Sequence, residues 1–167
     1  FMKTTDLAYL AGAVDCDGSI HVNRQRRIRP DGSFTFGYNV RVTLVQASPE
    51  IPELFKATFG GGISFYSAPS RKQSHGWFQW YASASNALIV LKMLKPFLRI
   101  KKRQAEIGIH FIEVLAEQHT NRNGRPLTED EILIRQRLTQ EMRDLNVRRS
   151  NYMFKGRLET PSVAKGR

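Results

Sequence analysis

The sequence holds one cysteine, Cys16, in 167 residues. A disulfide within the chain is impossible, which excludes a small stapled secreted fold. It fits a reducing, intracellular compartment, organellar or prokaryotic cytoplasm alike. No stretch approaches the roughly 18 apolar residues of a membrane span, so a transmembrane protein is excluded. No basic amphipathic helix is clear enough to suggest one lying on a membrane surface. No apolar run of the signal-peptide kind precedes residue 20; Phe1, ahead of Met2, is set aside as a remnant. There is no internal repeat of the kind a solenoid shows. Acidic residues are scarce, 15 against 26 Lys and Arg, leaving a net charge of +11. An excess of that size points to a polyanion, and nucleic acid is the first candidate.

The basic residues are clustered. Residues 19–46 hold five arginines (24, 26, 27, 29 and 41) against one acid, Asp31. Arg99, Lys101, Lys102 and Arg103 fall within five positions, and from Arg148 to the end six bases face one acid, Glu159. A merely solubilising surface would intersperse the signs. With 41% apolar and 25% charged residues, the chain reads as one soluble domain over residues 2–154, followed by a basic, flexible tail over 155–167.

Periodicity supplies the elements. Thr4-Thr5-Asp6 can cap a helix beginning near Leu7, and Leu7, Leu10, Ala11 and Val14 then form one apolar face. Ala8 and Gly12, four apart on a neighbouring face, allow close approach of another backbone. The helix is expected to stop at Asp17-Gly18, with Gly18 at positive φ. From Ile20 the period becomes two, Pro30-Asp31-Gly32-Ser33 makes a turn, and a second strand runs to Gln46. A short helix over 49–59 with Ile51, Leu54 and Phe55 buried is followed by Gly60-Gly61-Gly62. A second hairpin over 63–67 and 77–83 comes next, then helices over 86–94 and 101–117, a polar loop over 118–126, and a helix from the Thr128/Glu131 capping box to about Leu145. The order αββαββα, then helices, predicts an α+β domain with one four-stranded antiparallel sheet.

Helices cover one face of that sheet. By alternation the other carries His21, Asn23, Gln25, Arg27, Asn39, Arg41 and Thr43. An antiparallel sheet can simply leave one face in water, but these are the side chains that read base edges, Arg for guanine and Asn or Gln for adenine. Arg29, near the hairpin tip, and Arg71 and Lys72, in the second hairpin's loop, join them as candidate DNA contacts. Which of Trp77, Phe78, Trp80 and Tyr81 share that face is left open, because aromatics occupy both alternating sets.

Residues 10–18 read Leu-Ala-Gly-Ala-Val-Asp-Cys-Asp-Gly. This resembles the LAGLIDADG motif of homing endonucleases, matching six of nine positions, with Ala13, Val14 and Cys16 the departures. The motif closes a helix and feeds directly into a long hairpin, and Pro96 to Ala105 is similar to a second characteristic stretch. The order of elements matches over roughly 5–117, loosely to 150. The motif occurs once, and single-motif members resemble half of a DNA-binding saddle and act as homodimers. The resemblance therefore implies a site-specific, intron-encoded double-strand DNA endonuclease, cutting across the minor groove and leaving short 3′ overhangs. Its rivals are an RNA-binding intron maturase and a catalytically inactive DNA-binding regulator of the same fold.

The motif's physics suits that use. Two helices packed about a two-fold axis through Ala8, Ala11 and Gly12 bring together two C-termini, each partially negative, and two copies of Asp17. Such a cluster calls for a hard divalent cation, Mg²⁺ with Mn²⁺ as substitute. The resemblance assigns the metal to Asp17, assisted by the backbone carbonyl of Cys16, and places Gln46 beside the hydrolytic water and Lys101 in the active site. It leaves Asp15 structural, at the dimer face. Some members use an Arg just after the polar residue; here Ala47-Ser48-Pro49-Glu50 offers none. Roughly palindromic DNA of about 18–22 base pairs follows from strand length, with no small-molecule cofactor. His21, His75, His110 and His119 lack metal-ligand spacing with Cys16, and Gly60-Gly61-Gly62 lacks the Lys and Ser/Thr of a phosphate loop.

Overall fold

The computed structural model describes residues 3–28, 30–67, 76–121 and 125–155, the last of these as backbone alone beyond residue 147. The elements are α1 (Thr4–Asp17), β1 (Gly18–Ile28), β2 (Phe34–Gln46), α2 (Glu50–Phe59), β3 (Gly62–Tyr66), β4 (Trp77–Ser83), α3 (Ala84–Leu94), α4 (Lys102–Asn121) and α5 (Glu129–Lys155). The fold is α+β, with one antiparallel four-stranded sheet in the order β1-β2-β4-β3.

All the helices contact the sheet directly or through a neighbour: α1, α3 and α4 lie on β2, α2 and α3 on β4, and α5 on β1 and α4. The core lies between sheet and helices. Ile20, Val40, Val42, Leu44, Trp80 and Ala82 supply the sheet side, and Leu10, Ala11, Val14, Phe55, Leu91, Leu94 and Phe111 the helix side. Trp80 anchors one end, its ring 4.8 Å from that of Phe55 and its Nε1 donating to Gly60 O at 2.9 Å. Burying the ring while satisfying its polar tip is what a core tryptophan requires.

Several expectations are corrected. α1 begins at Thr4, with Lys3 as N-cap; Asp6, inside the first turn, accepts Lys3 N–H at 3.3 Å. Gly18 has φ −86° and ψ 165°, extended rather than left-handed. It is glycine for another reason: helix passes into strand with no loop between, and a Cβ there would meet Val14 Cα and O at 2.8 Å. Leu54 faces solvent, and Pro52, Phe55 and Phe59 are the buried residues of α2. The loop placed over 118–126 is helical to Asn121, where Gln118 is buried and accepts from Arg135 Nε at 2.7 Å. α5 begins with its capping box, Glu131 N–H donating to Thr128 Oγ1 at 3.2 Å and Thr128 N–H to Glu131 Oε2 at 2.8 Å. It then runs past Leu145 to Lys155. Leu138 and Met142 seat it, and Asn146 Nδ2 donates to Ile20 O at 3.2 Å on β1. Beyond that point the sequence has no apolar period, but no Gly or Pro intervenes to stop a helix before Gly156. The tail from 156 lies outside the described residues.

Candidate functional site

The site begins where α1 ends. Asp17 is its last residue and is exposed, as is Cys16. Gln46 is the last residue of β2. On β2 the even positions Val40, Val42 and Leu44 face the helices and are buried, so Gln46 turns to the same side and meets the end of α1. Its Nε2 donates to Asp17 Oδ2 at 2.7 Å. Two sequence-assigned groups, 29 residues apart, are thereby joined.

Asp15 and Lys101 form a reciprocal tie beside them. The Asp15 carboxylate accepts backbone N–H groups of Arg99 at 2.7 Å, Ile100 at 3.1 Å and Lys101 at 2.7 Å. Lys101 Nζ in return donates to Val14 O at 2.7 Å and Asp15 O at 2.5 Å. The ammonium thus satisfies carbonyls at the C-terminal end of α1, where the helix dipole is negative. Burial opposes ionisation of Asp15, yet the three N–H donors and the Lys101 charge outweigh it and hold the carboxyl below its ordinary value. The Asp15 carboxylate is thus engaged by backbone groups of its own chain.

Ala8 and Gly12 are exposed on α1, while Ala11 is fully buried. Ala11 points into the core with Leu10 and Val14, so its assignment to a dimer face is corrected.

The polar sheet face follows from the register. β1 pairs Ser19 with Thr43, His21 with Arg41, Asn23 with Asn39, Gln25 with Gly37 and Arg27 with Thr35, placing all these side chains on the side away from the helices. Gln25 and Arg27 are exposed; His21, Asn23, Asn39 and Arg41 are half-buried. Two members are partly committed. Thr43 is buried, at 6% exposure, so little of it is free to touch a ligand. Asn39 Oδ1 accepts the N–H of Ala84, the first residue of α3, at 3.1 Å. Burial and the charge of Arg41 push the His21 imidazole pKa down. Arg24 and Arg26 project to the opposite side, over the rings of Phe36 and Phe34 at 4.0 and 4.3 Å. Arg29, Arg71 and Lys72 lie outside the described residues.

Residues missed by sequence reasoning complete the face. β4 pairs Tyr81 with Thr43 and Gln79 with Val45, and β3 pairs Gly62 with Tyr81, Ser64 with Gln79 and Tyr66 with Trp77. Tyr81, Gln79, Trp77, Ser64 and Tyr66 therefore share the polar side, and Phe78 and Trp80 the other. Trp77 and Tyr66 stack with centroids 5.7 Å apart. Only the register distinguishes the two aromatic sets, and the sequence does not carry it.

Among the described residues no group of three or more His, Cys, Asp and Glu side chains gathers as a metal site. Among the described residues, the exposed carboxylate at the end of α1 is that of Asp17. No helix among the described residues is long and apolar enough to cross a membrane.

Neither a protein-family sequence model nor a curated protein sequence matches the chain. Solved structures do match its fold. The homing endonuclease I-CvuI, in complex with its target in the presence of Ca, aligns with TM-score 0.62 over 84% of this chain and 82% of its own, at 20% identity. The archaeal intron-encoded homing endonuclease I-Vdi141I, complexed with DNA, gives 0.61 over 84% of each chain at 17% identity. The LAGLIDADG homing endonuclease I-SmaMI, bound to cleaved DNA, gives 0.61 at 17% identity over 80% of this chain but 42% of its own. These matches, each over 80% or more of this chain, give it the fold of the LAGLIDADG homing endonucleases.

Proposed function

We propose that this chain is one subunit of a homodimeric, divalent-metal-dependent endonuclease that cuts both strands of DNA at a specific site. The observation that carries the reading is the corner where α1 meets β2. There an exposed Asp17, oriented by Gln46 at 2.7 Å, adjoins a sheet face set with His21, Asn23, Gln25, Arg27 and Arg41. Retention of that carboxylate–amide pair argues against a catalytically inactive DNA-binding regulator of the same fold.

The donor set suits a hard cation as half of a shared site. Asp15 is occupied by three backbone N–H groups, so Asp17 and the carbonyl of Cys16 are what one chain offers, and a second copy brings the same pair. Mg²⁺, or Mn²⁺ in its place, would supply Lewis-acid stabilisation of the charge that develops on the scissile phosphate. Gln46 holds the Asp17 carboxylate in one orientation and has an amide oxygen left to accept from a water. Lys101 holds the end of α1 in place. Ala8 and Gly12 offer the small, exposed surface on which two α1 helices can pack. That the fold covers most of I-CvuI and under half of I-SmaMI supports reading this chain as half of a saddle. The polar face would lie in successive major grooves of a roughly palindromic target, in a reducing intracellular compartment.

The test is Asp17→Asn. It should retain the fold and DNA affinity, because the amide keeps the shape and accepts from Gln46, and it should abolish Mg²⁺-dependent cleavage of the cognate duplex. Cys16→Ser should stay active. Cleavage by the Asp17→Asn protein at the wild-type rate would end the assignment.

A further inference from the structure

On the polar face, Tyr81, Gly62 and Arg41 form a unit. Gly62 on β3 lies directly across from Tyr81 on β4. A Cβ at position 62 would come within 2.5 Å of Tyr81 Cζ and Oη, so the missing side chain is what lets the ring lie across the β3 backbone. Arg41, on β2 diagonally opposite Tyr81, places its guanidinium carbon 4.3 Å from the ring centre. A planar guanidinium seated over a ring loses much of its rotational freedom, which narrows the directions in which its fork of donors can point.

Arg41 has a second singular feature. Its Nε is buried and, among the described residues, is the one buried side-chain nitrogen or oxygen without a hydrogen-bond partner. An unpaired buried N–H is costly. With Nε buried on a half-buried side chain, the two terminal amino groups are the donors left to serve a ligand. No acid stands in the pairs around it: His21 is across on β1, Ser83 across on β4, and Thr43 and Asn39 flank it on β2. Among the described residues no acid pairs with the guanidinium, which lies over the Tyr81 ring on the face that the proposed function turns toward DNA.

We infer that Tyr81, seated over Gly62, is a positioning residue for base selection that presents Arg41 end-on to a guanine at one inner base pair of each half-site. Guanine offers two adjacent acceptors, N7 and O6, in the major groove, and a rigid fork with two parallel donors matches that pair alone among the bases. A phosphate would also accept from Arg41, but such a contact carries no sequence information. The inference rests on the sheet being the DNA-reading face.

The experiment selects binding sites from randomised duplexes with the full chain, in Ca²⁺ so that binding is read rather than turnover. Wild type should enrich guanine at one inner position per half-site. Arg41→Ala should lose that preference about ten-fold with other positions unchanged. Tyr81→Leu should lose it to a similar degree, Tyr81→Phe should keep it, and Arg41→Ala/Tyr81→Leu should lose no more than Arg41→Ala. Thermal melting of each variant reports folding, and Tyr81→Phe preserves the test if the leucine variant unfolds, because loss of the guanine preference there would also overturn the inference. A leucine variant that keeps the preference, or that weakens all sequences alike, overturns it while leaving the DNA-reading sheet intact. Wild type enriching no sequence would overturn the proposed function as well.

Discussion

Lys101 is one of 26 basic residues, yet only 9% of it is exposed. As one of four bases in a short run, it suggested a phosphate or water contact. The structure instead puts its ammonium on two carbonyls at the end of α1, the peptide groups adjacent to the motif's acids. Charge-assisted hydrogen bonds of this kind contribute about 1.5–3 kcal/mol each. Lys101→Met should therefore lower unfolding stability by about 3–6 kcal/mol, less what water restores to the two carbonyls that lose their donor. It should reduce cleavage more than DNA affinity, because Asp17 sits three residues past Val14; urea unfolding and a filter-binding assay separate the two effects. Asp15 completes the tie, and its sign is definite. Its folded pKa is lowered, so its contribution is present above the unfolded carboxylate value of about 3.9 and is lost as pH falls through the lower folded value. The urea midpoint of wild type should drop between pH 5 and pH 3, and that of Asp15→Asn should drop less. Equal drops would mean that the three N–H bonds to Asp15 contribute nothing.

At the scale of the element, the proposed dimer rests on the surface of α1. Its inward residues, Leu10, Ala11 and Val14, are buried, while Ala8, Tyr9, Gly12 and Cys16 form an exposed stripe. A Cβ placed on Gly12 would meet nothing within 4 Å, and its φ needs no glycine. Glycine inside a helix costs about 1 kcal/mol relative to alanine, so the isolated chain gains nothing from it. A partner backbone approaching closely would. Gly12→Leu should thus melt no lower than wild type as a monomer, yet fail to dimerise in sedimentation and fail to cleave; unfolding of that variant would instead assign Gly12 a role inside the chain. The motif, this helix and the first hairpin were legible because their periods are clean: 3.6 through Val14, then two from Ile20. Asp17, Gln46 and Asp15 were legible only through the resemblance, since nothing local says that residues 17 and 46 touch. The β4 register was not legible, because Trp77, Phe78, Trp80 and Tyr81 put large rings on both faces, and the choice is made by Phe55 and Phe59 packing on Trp80. Ala11 was misplaced for a related reason: a small residue fits a close helix contact and a core equally well. Burial, not size, decided it.

For the whole molecule, the length of the polar face sets the length of what it can read. β1 from Ser19 to Arg27 and its partners from Thr35 to Thr43 form nine paired rungs. At about 3.3 Å per residue this spans roughly 30 Å, and at about 3.4 Å per base pair it covers around nine base pairs. Two copies related by a two-fold axis through α1 should therefore occupy about 18–22 base pairs, with the half-sites in inverted orientation. The rungs divide by distance from Asp17. Arg41 and His21 stand nearer the Gly18 end of the hairpin, and Gln25 and Arg27 nearer its tip. Inner base pairs should depend on Arg41 and outer ones on Gln25 and Arg27. Arg27 lies over Gly37, its Nε 2.8 Å from where a Cβ would stand, so its reach across β2 depends on that glycine. Gly37→Val should shift Arg27 and relax preference at outer positions while leaving the inner guanine in place. Sequencing the products of cleavage on a randomised library would read both the length and this division. A recovered site of eight base pairs or fewer, or one without inverted symmetry, would mean that this sheet does not read DNA as one half of a two-fold saddle.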